Sequence, residues 1–193
     1  MKKLSGRRIG FAVTGSFCTF ERAFKAAEAL TEMGAELTPI FSEHAASIDT
    51  RFGKAADHIR RMEEISCRRA LLSIAEAEPL GPKDMLDCIA VVPCTSNTMS
   101  KLAYGVVDTT VTMAVKSMLR NNKPVILAVA TNDALRCSAK NLGLLMNSRN
   151  YFFVPLGQDA PDTKPASMVA HFEKLPETIE AAFEGRQIQP LII

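Results

Sequence analysis

The sequence predicts an α/β fold in which a doubly wound parallel sheet carries helices on both faces. Three observations support that expectation. Short continuous apolar runs at residues 9–13 and 125–129 fit strands buried on both faces. Segments with apolar residues at helical spacing alternate with these runs. Turn and stop residues punctuate the alternation, as at Gly34 and Asn121-Asn122-Lys123-Pro124. Strands linked this way close through right-handed crossovers, giving a Rossmann-like sheet. The 193 residues are enough for one full core, so a single domain over 1–193 is expected.

Residues 9–13 form the first strand. Phe20, Ala23, Phe24, Ala27, Leu30 and Met33 mark a helix that stops at Gly34. Residues 37–41 are a second strand, and 55–77 an interrupted helix with Ile59, Met62 and Ile65 facing inward. The third strand, 88–92, should end at Pro93, whose ring fixes φ and which has no N–H for a ladder. Val111, Ala114, Val115, Met118 and Leu119 give a helical stripe. A fourth strand follows at 125–129, a helix at 138–148 and a short fifth strand at 151–154. The last helix has Pro176 near its first turn and Gly185 just past its end. Residues 158–167 form the one long loop.

Composition narrows the function classes. A net charge of +2, with no basic run interleaved with aromatics, argues against a nucleic-acid surface. Lys2, Lys3, Arg7 and Arg8 precede an apolar run of about five residues, shorter than the roughly 7–15 of a signal-peptide core. No stretch has the length of a membrane span, so a cytoplasmic protein is expected. Cys18, Cys67, Cys88, Cys94 and Cys137 contain no C-x-x-C and fit reduced, mostly buried thiols; no metal site is expected.

Three loops at the carboxyl ends of strands have ligand chemistry. Thr14, Gly15, Ser16 and Phe17 place a glycine flanked by hydroxyls at a helix start, where free N–H groups attract an anion. An ordinary tight turn is the competing reading, because neither a dinucleotide fingerprint nor a Walker loop is present. Ser42 and Glu43 end the second strand, and Glu43 is placed to hold a ribose diol. Thr95, Ser96, Asn97 and Thr98 follow Pro93 as four polar residues in a row, where a helix cap needs one. Ala130, Thr131 and Asn132 after strand four add a further wall. Arg51 and Lys101 could meet substrate carboxylates. His44 could act as acid or base or simply be solvated, whereas His58 is read as lying on a solvated helix face and His171 as having no role. Cys94 adjoins a helix start, where a thiol pKa can fall; a small residue tolerated beside Pro93 is the preferred reading.

Thr14-Gly15-Ser16, Pro93-Cys94-Thr95-Ser96-Asn97-Thr98, Lys101-Leu102-Ala103 and Gly105-x-x-Asp108 resemble the homo-oligomeric flavin-containing cysteine decarboxylases. There a P-x-S-A-N-T-x-x-K-x-A-x-G-x-x-D segment holds FMN and the first strand–helix loop its phosphate. The resemblance implies a flavoprotein-like fold and an FMN site at Thr14, Gly15, Ser16, Phe17, Ser42, Thr95, Ser96, Asn97, Thr98, Ala130 and Thr131. A more specific resemblance, spread in order along the chain, is to the B-subunit family of the dipicolinate synthases of spore-forming bacteria. Arg8-Ile9-Gly10-Phe11, Thr50-Arg51-Phe52-Gly53, Glu78-Pro79-Leu80-Gly81-Pro82-Lys83, Thr131-Asn132-Asp133-Ala134-Leu135 and Lys164-Pro165-Ala166-Ser167-Met168 carry it. It implies an oxidoreductase subunit in a homo-oligomer, acting during sporulation to oxidise dihydrodipicolinate or its hydrated precursor to dipicolinate. The implied partner is a separate dehydrogenase-like A subunit that holds NAD(P). It further implies a dicarboxylate substrate, for which Asn132, Arg51 and Lys101 are the candidate contacts; no catalytic residue is assigned.

Departures from the decarboxylases leave alternatives open. Their active-site histidine has no counterpart in Ala77-Glu78-Pro79-Leu80-Gly81-Pro82. Of their P-A-M-N-x-x-M segment only Asn132 survives, and the polar run reads Thr95-Ser96-Asn97 in place of their Ser-Ala-Asn. A non-catalytic partner with a vestigial flavin pocket is one alternative, an FMN-dependent decarboxylase a weaker one.

Overall fold

A computed structural model of the chain describes residues 4–193; Lys2 and Lys3 of the signal-peptide comparison lie outside them. Strands β1 (Arg8–Val13), β2 (Glu36–Phe41), β3 (Cys88–Cys94), β4 (Val125–Thr131) and β5 (Tyr151–Phe153) are parallel, in the order β2-β1-β3-β4-β5. Beyond the end of β5, residues Ala130 and Thr131 pair antiparallel with β7 (Met168–Ala170), which pairs in turn with β6 (Leu156–Gly157).

This order places the helices. The β1-to-β2 crossover runs one way along the sheet, and those to β3, β4 and β5 run the other. Right-handed connections therefore put the first helix on one face and the helices of the later crossovers on the opposite face. Helix α1 (Phe20–Glu32) packs against the last helix, α8 (Leu175–Phe183). Across the sheet α4 (Ile74–Ala77) packs on α6 (Thr110–Arg120), which also meets α5 (Ser96–Ala103); α5 in turn meets α7 (Ala139–Met146). Two more helices, α2 (Glu43–Ser47) and α3 (Ala55–Ser66), cover the β2 side. Phe11, Phe20, Phe24, Phe41, Phe153 and Phe172 are fully buried, each contributing about 1.5–3 kcal/mol by leaving water.

The alternation expected from sequence is present, with several corrections. Pro93 does not end β3, because the ladder to β4 shifts register between Val91 and Cys94 and no N–H is required of it there. β4 runs two residues past Val129, since β7 supplies partners for Ala130 and Thr131. The long helix breaks at Cys67 (φ 53°), and the chain then returns to the sheet, pairing Leu71 with Ile40. The short β6–β7 pair had no alternating pattern to announce it. Among the cysteines only Cys88 and Cys94 are buried; Cys18, Cys67 and Cys137 are exposed thiols. Among the described residues no helix is long and apolar enough to cross a membrane, and no cluster of metal ligands occurs.

His58 is the clearest correction. It lies on the inner side of α3, edge-on to Phe20 with ring centroids 4.9 Å apart, and its buried Nε2 has no hydrogen-bond partner among the described residues. The Thr50–Gly53 turn covers it: a Cβ on Gly53 would lie 2.8 Å from the ring. Burial depresses its pKa below the usual value of about 6.5; Asp57 opposes the shift and Arg61 adds to it. The unfolded chain therefore takes up the proton more readily than the folded one. Unfolding free energy should fall as pH drops below about 6.5, above the range where carboxylates titrate. Urea titrations at a series of pH values should show that slope in the wild type and lose it in His58→Phe.

Candidate functional site

The strand order reverses between β1 and β3, and open α/β sheets bind ligands in the crevice at such a point. A cleft of about 430 Å³ lies there, lined by Thr14, Gly15 and Phe17 after β1 and by Ser42, Glu43, His44 and Ile48 after β2. Thr95, Asn97, Thr98 and Lys101 line it after β3, and Asp108 and Thr109 before α6.

The loops are held by their own polar groups. The buried Thr14 hydroxyl donates to the Pro93 carbonyl (2.7 Å) and accepts from the Thr95 N–H (3.1 Å), joining the ends of β1 and β3. Thr95 caps α5 by accepting from the Thr98 N–H (3.3 Å), and its hydroxyl donates to that of Thr98 (3.2 Å). Two of the four polar residues thus serve the cap. Asn97 is exposed on the cleft wall, and its carboxamide has no hydrogen-bond partner among the described residues. Ser96 does not line the cleft.

In the first loop the Ser16 N–H donates to the Thr14 carbonyl at 2.7 Å. An anion cradle over Gly15, Ser16 and Phe17 is therefore reduced to the N–H groups of Gly15 and Phe17, which have no partner among the described residues. Ser42 caps α2 by accepting from the Ala45 N–H (3.3 Å), leaving its own proton free to donate.

Glu43 departs from the ribose reading. Its Oε1 accepts from the Thr110 N–H (2.9 Å) and hydroxyl (3.1 Å), so the carboxylate sits at the start of α6, where the helix dipole favours negative charge. Lys101 Nζ meets both oxygens of Asp108, at 2.8 and 2.9 Å. These two contacts tie the connection between α5 and α6 to the start of α2 and to α5 itself. Ile48 and Thr109 were missed as lining residues, and Asp108 entered only as the end of the family segment without a role of its own.

Other sequence candidates lie elsewhere. Ala130 and Thr131 pair with β7, and the Thr131 hydroxyl donates to Asp133. With exposed Asn132, they stand outside the cleft. Arg51 lies over the Phe52 ring, 4.8 Å from its centroid, on the turn that covers His58, and does not line the cleft either. Burial pushes the Cys94 thiol up to about 12, so it remains a packed, protonated thiol. His44 lines the cleft; His171 pairs with Glu173 (3.0 Å) away from it.

The lining combines apolar groups, Phe17 and Ile48, with the polar groups of Asn97, Thr95 and the Lys101–Asp108 pair. That combination suits a flat heteroaromatic ligand with a polar edge and an anionic tail. Residues 1–183 match the family described as Flavoprotein. The chain belongs to the flavoprotein family. Within it the likeness is to the B subunits of dipicolinate synthases. The chain is 47% identical to the dipicolinate synthase B subunit of Bacillus subtilis (strain 168) over 193 residues, covering 100% of this chain and 96% of that one. It superimposes on the crystal structure of the dipicolinate synthase B subunit from Bacillus halodurans with a TM-score of 0.90 and 43% identity, covering 98% and 97% of the two chains. Burkholderia xenovorans DmrB in complex with FMN shares the fold, with a TM-score of 0.62, 22% identity, and 83% of this chain and 92% of that one covered.

The Glu43 latch has a measurable role of its own. Glu43→Ala should cost about 1 kcal/mol, within the range for a lost helix-terminal acceptor. Glu43→Gln, which keeps an acceptor oxygen, should cost less, and urea denaturation of both variants checks the order.

Proposed function

We propose that the chain acts as the B subunit of a dipicolinate synthase during sporulation. With a dehydrogenase-like A subunit that holds NAD or NADP, it takes part in oxidising dihydrodipicolinate, or its hydrated precursor, to dipicolinate. The observation that carries this reading is the 47% identity to the Bacillus subtilis protein along the whole chain. A homo-oligomer of single-domain chains, located in the cytoplasm, is part of the same reading. One sheet drawing strands from Arg8 to Ala170 supports the single domain.

The cleft fits FMN. The Gly15 and Phe17 N–H groups and the Ser42 hydroxyl would take the phosphate, Phe17 and Ile48 would cover a ring face, and Asn97 would meet its polar edge. Membership of the flavoprotein family and the FMN-bound neighbour support that assignment. A bound flavin supplies electron transfer. Asn97 donates and accepts at once, and so orients a planar ligand. Lys101 offers a cation to a substrate carboxylate in exchange for Asp108.

A second reading, a binding subunit that performs no chemistry, draws on the segment where the decarboxylases carry histidine. Residues 78–82 contain none and pack on α6: Asn121 Nδ2 donates to the Gly81 carbonyl (2.7 Å), and none of these residues lines the cleft. The same observation disfavours decarboxylation.

Mixing the purified chain with the A subunit, NAD(P) and substrate separates the readings. The chain alone should show negligible dehydrogenase activity, and the mixture should form dipicolinate. Gly15→Val narrows the cradle without backbone strain, since a Cβ there meets nothing closer than 3.6 Å. Asn97→Ala removes a group that supports no other element. Both should lower the mixed activity at least about tenfold, while leaving the melting temperature nearly unchanged. Activity indifferent to both substitutions favours the non-catalytic role; dipicolinate formed by the chain alone overturns the partnership.

A further inference from the structure

A second cavity shares Lys101 with the cleft and lies between the C-terminal end of α5 and the outer face of α6. It is a groove of about 430 Å³, floored by Leu102, Val115, Leu119 and Tyr151 and edged by Val106. Val106 is 43% exposed and the neighbouring Tyr104 60%, which adds an apolar rim. Surface of this kind commonly marks an interaction site.

The groove follows α6 through Thr112, Val115, Lys116, Leu119 and Arg120, about two turns or roughly 12 Å. Lys116 and Arg120 lie one turn apart and exposed, and among the described residues neither has an ion-pair or hydrogen-bond partner. Two nearby lysines differ: Lys101 is held by Asp108 and Lys123 by Asp84. Like charges four positions apart on a helix repel, so carboxylates from outside the chain are favoured at this rim. The Tyr151 hydroxyl, also without a partner among the described residues, adds a donor on the floor.

We infer that this groove docks an acidic amphipathic segment of the dehydrogenase-like partner, an inference that rests on the partnership proposed above. The segment lays an apolar stripe on Leu102, Val115 and Leu119 and carboxylates against Lys116 and Arg120, the helix-in-groove mode of recognition. A docked segment and a cleft ligand then share Lys101, which brings the partner next to the cleft.

The test is calorimetric titration of the full chain with the purified dehydrogenase-like partner at low and high salt, using wild type, Lys116→Glu/Arg120→Glu and Val106→Asp. All three altered side chains are exposed, and melting curves check that each variant folds. The double charge reversal should weaken binding at least about tenfold and remove most of the salt dependence, and Val106→Asp should weaken it as well. Sedimentation should show unchanged self-assembly of both variants. Wild type that binds, with both variants equal to it, overturns the groove and leaves the partnership intact. Wild type that does not bind overturns the partnership and the groove with it. Variants that lose self-assembly yet bind the partner normally assign the groove to contacts between copies and overturn the inference.

Discussion

A single buried hydroxyl holds the site together. Thr14 Oγ1 sits where β1 ends, donating to Pro93 and accepting from Thr95, and so ties together the loops on either side of the strand-order reversal. The β1 and β3 strands themselves are buried along almost their whole length and supply a rigid base. With Thr95 fixed, α5 starts in one place, and Asn97 is carried to the cleft wall without a structural duty of its own. A buried hydroxyl that both donates and accepts is stable there only because both partners are present, so the geometry of the two loops is over-determined.

Electrostatics inside the cleft follow from internal pairing. Glu43 supplies the negative charge that the start of α6 attracts, and Asp108 satisfies Lys101. Two anion-seeking positions are thus answered by the chain itself. The N–H groups of Gly15 and Phe17, with the Ser42 proton, are what remains for a ligand anion. Under the proposed FMN reading the bound group would be oriented by them, its anion toward β1 and its polar edge toward Asn97.

Much of the fold was legible because both periodicities are strong. The continuous run at β1, the stripe of α6, and the proline in the first turn of α8 with the glycine just past its end each mark an element by a local rule. What escaped depended on distant partners. Pro93 stays in its strand because β4 shifts register beside it, and β4 extends because β7, some forty residues later, pairs with its end. His58 looked solvated because Arg60 and Arg61 follow it, yet Phe20 and the Gly53 turn enclose its ring. The site was legible as loops and less so as roles. Thr14, Ser42 and Asn97 do line one cleft, whereas Glu43 serves a helix, and Ala130, Thr131, Asn132 and Arg51 stand elsewhere. The family motif names residue types; only the packing says which of them are already committed.

Amide chemical shifts of isotope-labelled protein titrated with FMN test the central claim most directly. A ligand held across the strand-order reversal should move the amides of Gly15, Phe17, Ser42 and Asn97 and leave those of Val115 and Leu119 in place. Shifts centred on Val115 and Leu119, or no shifts at saturating FMN, would contradict it.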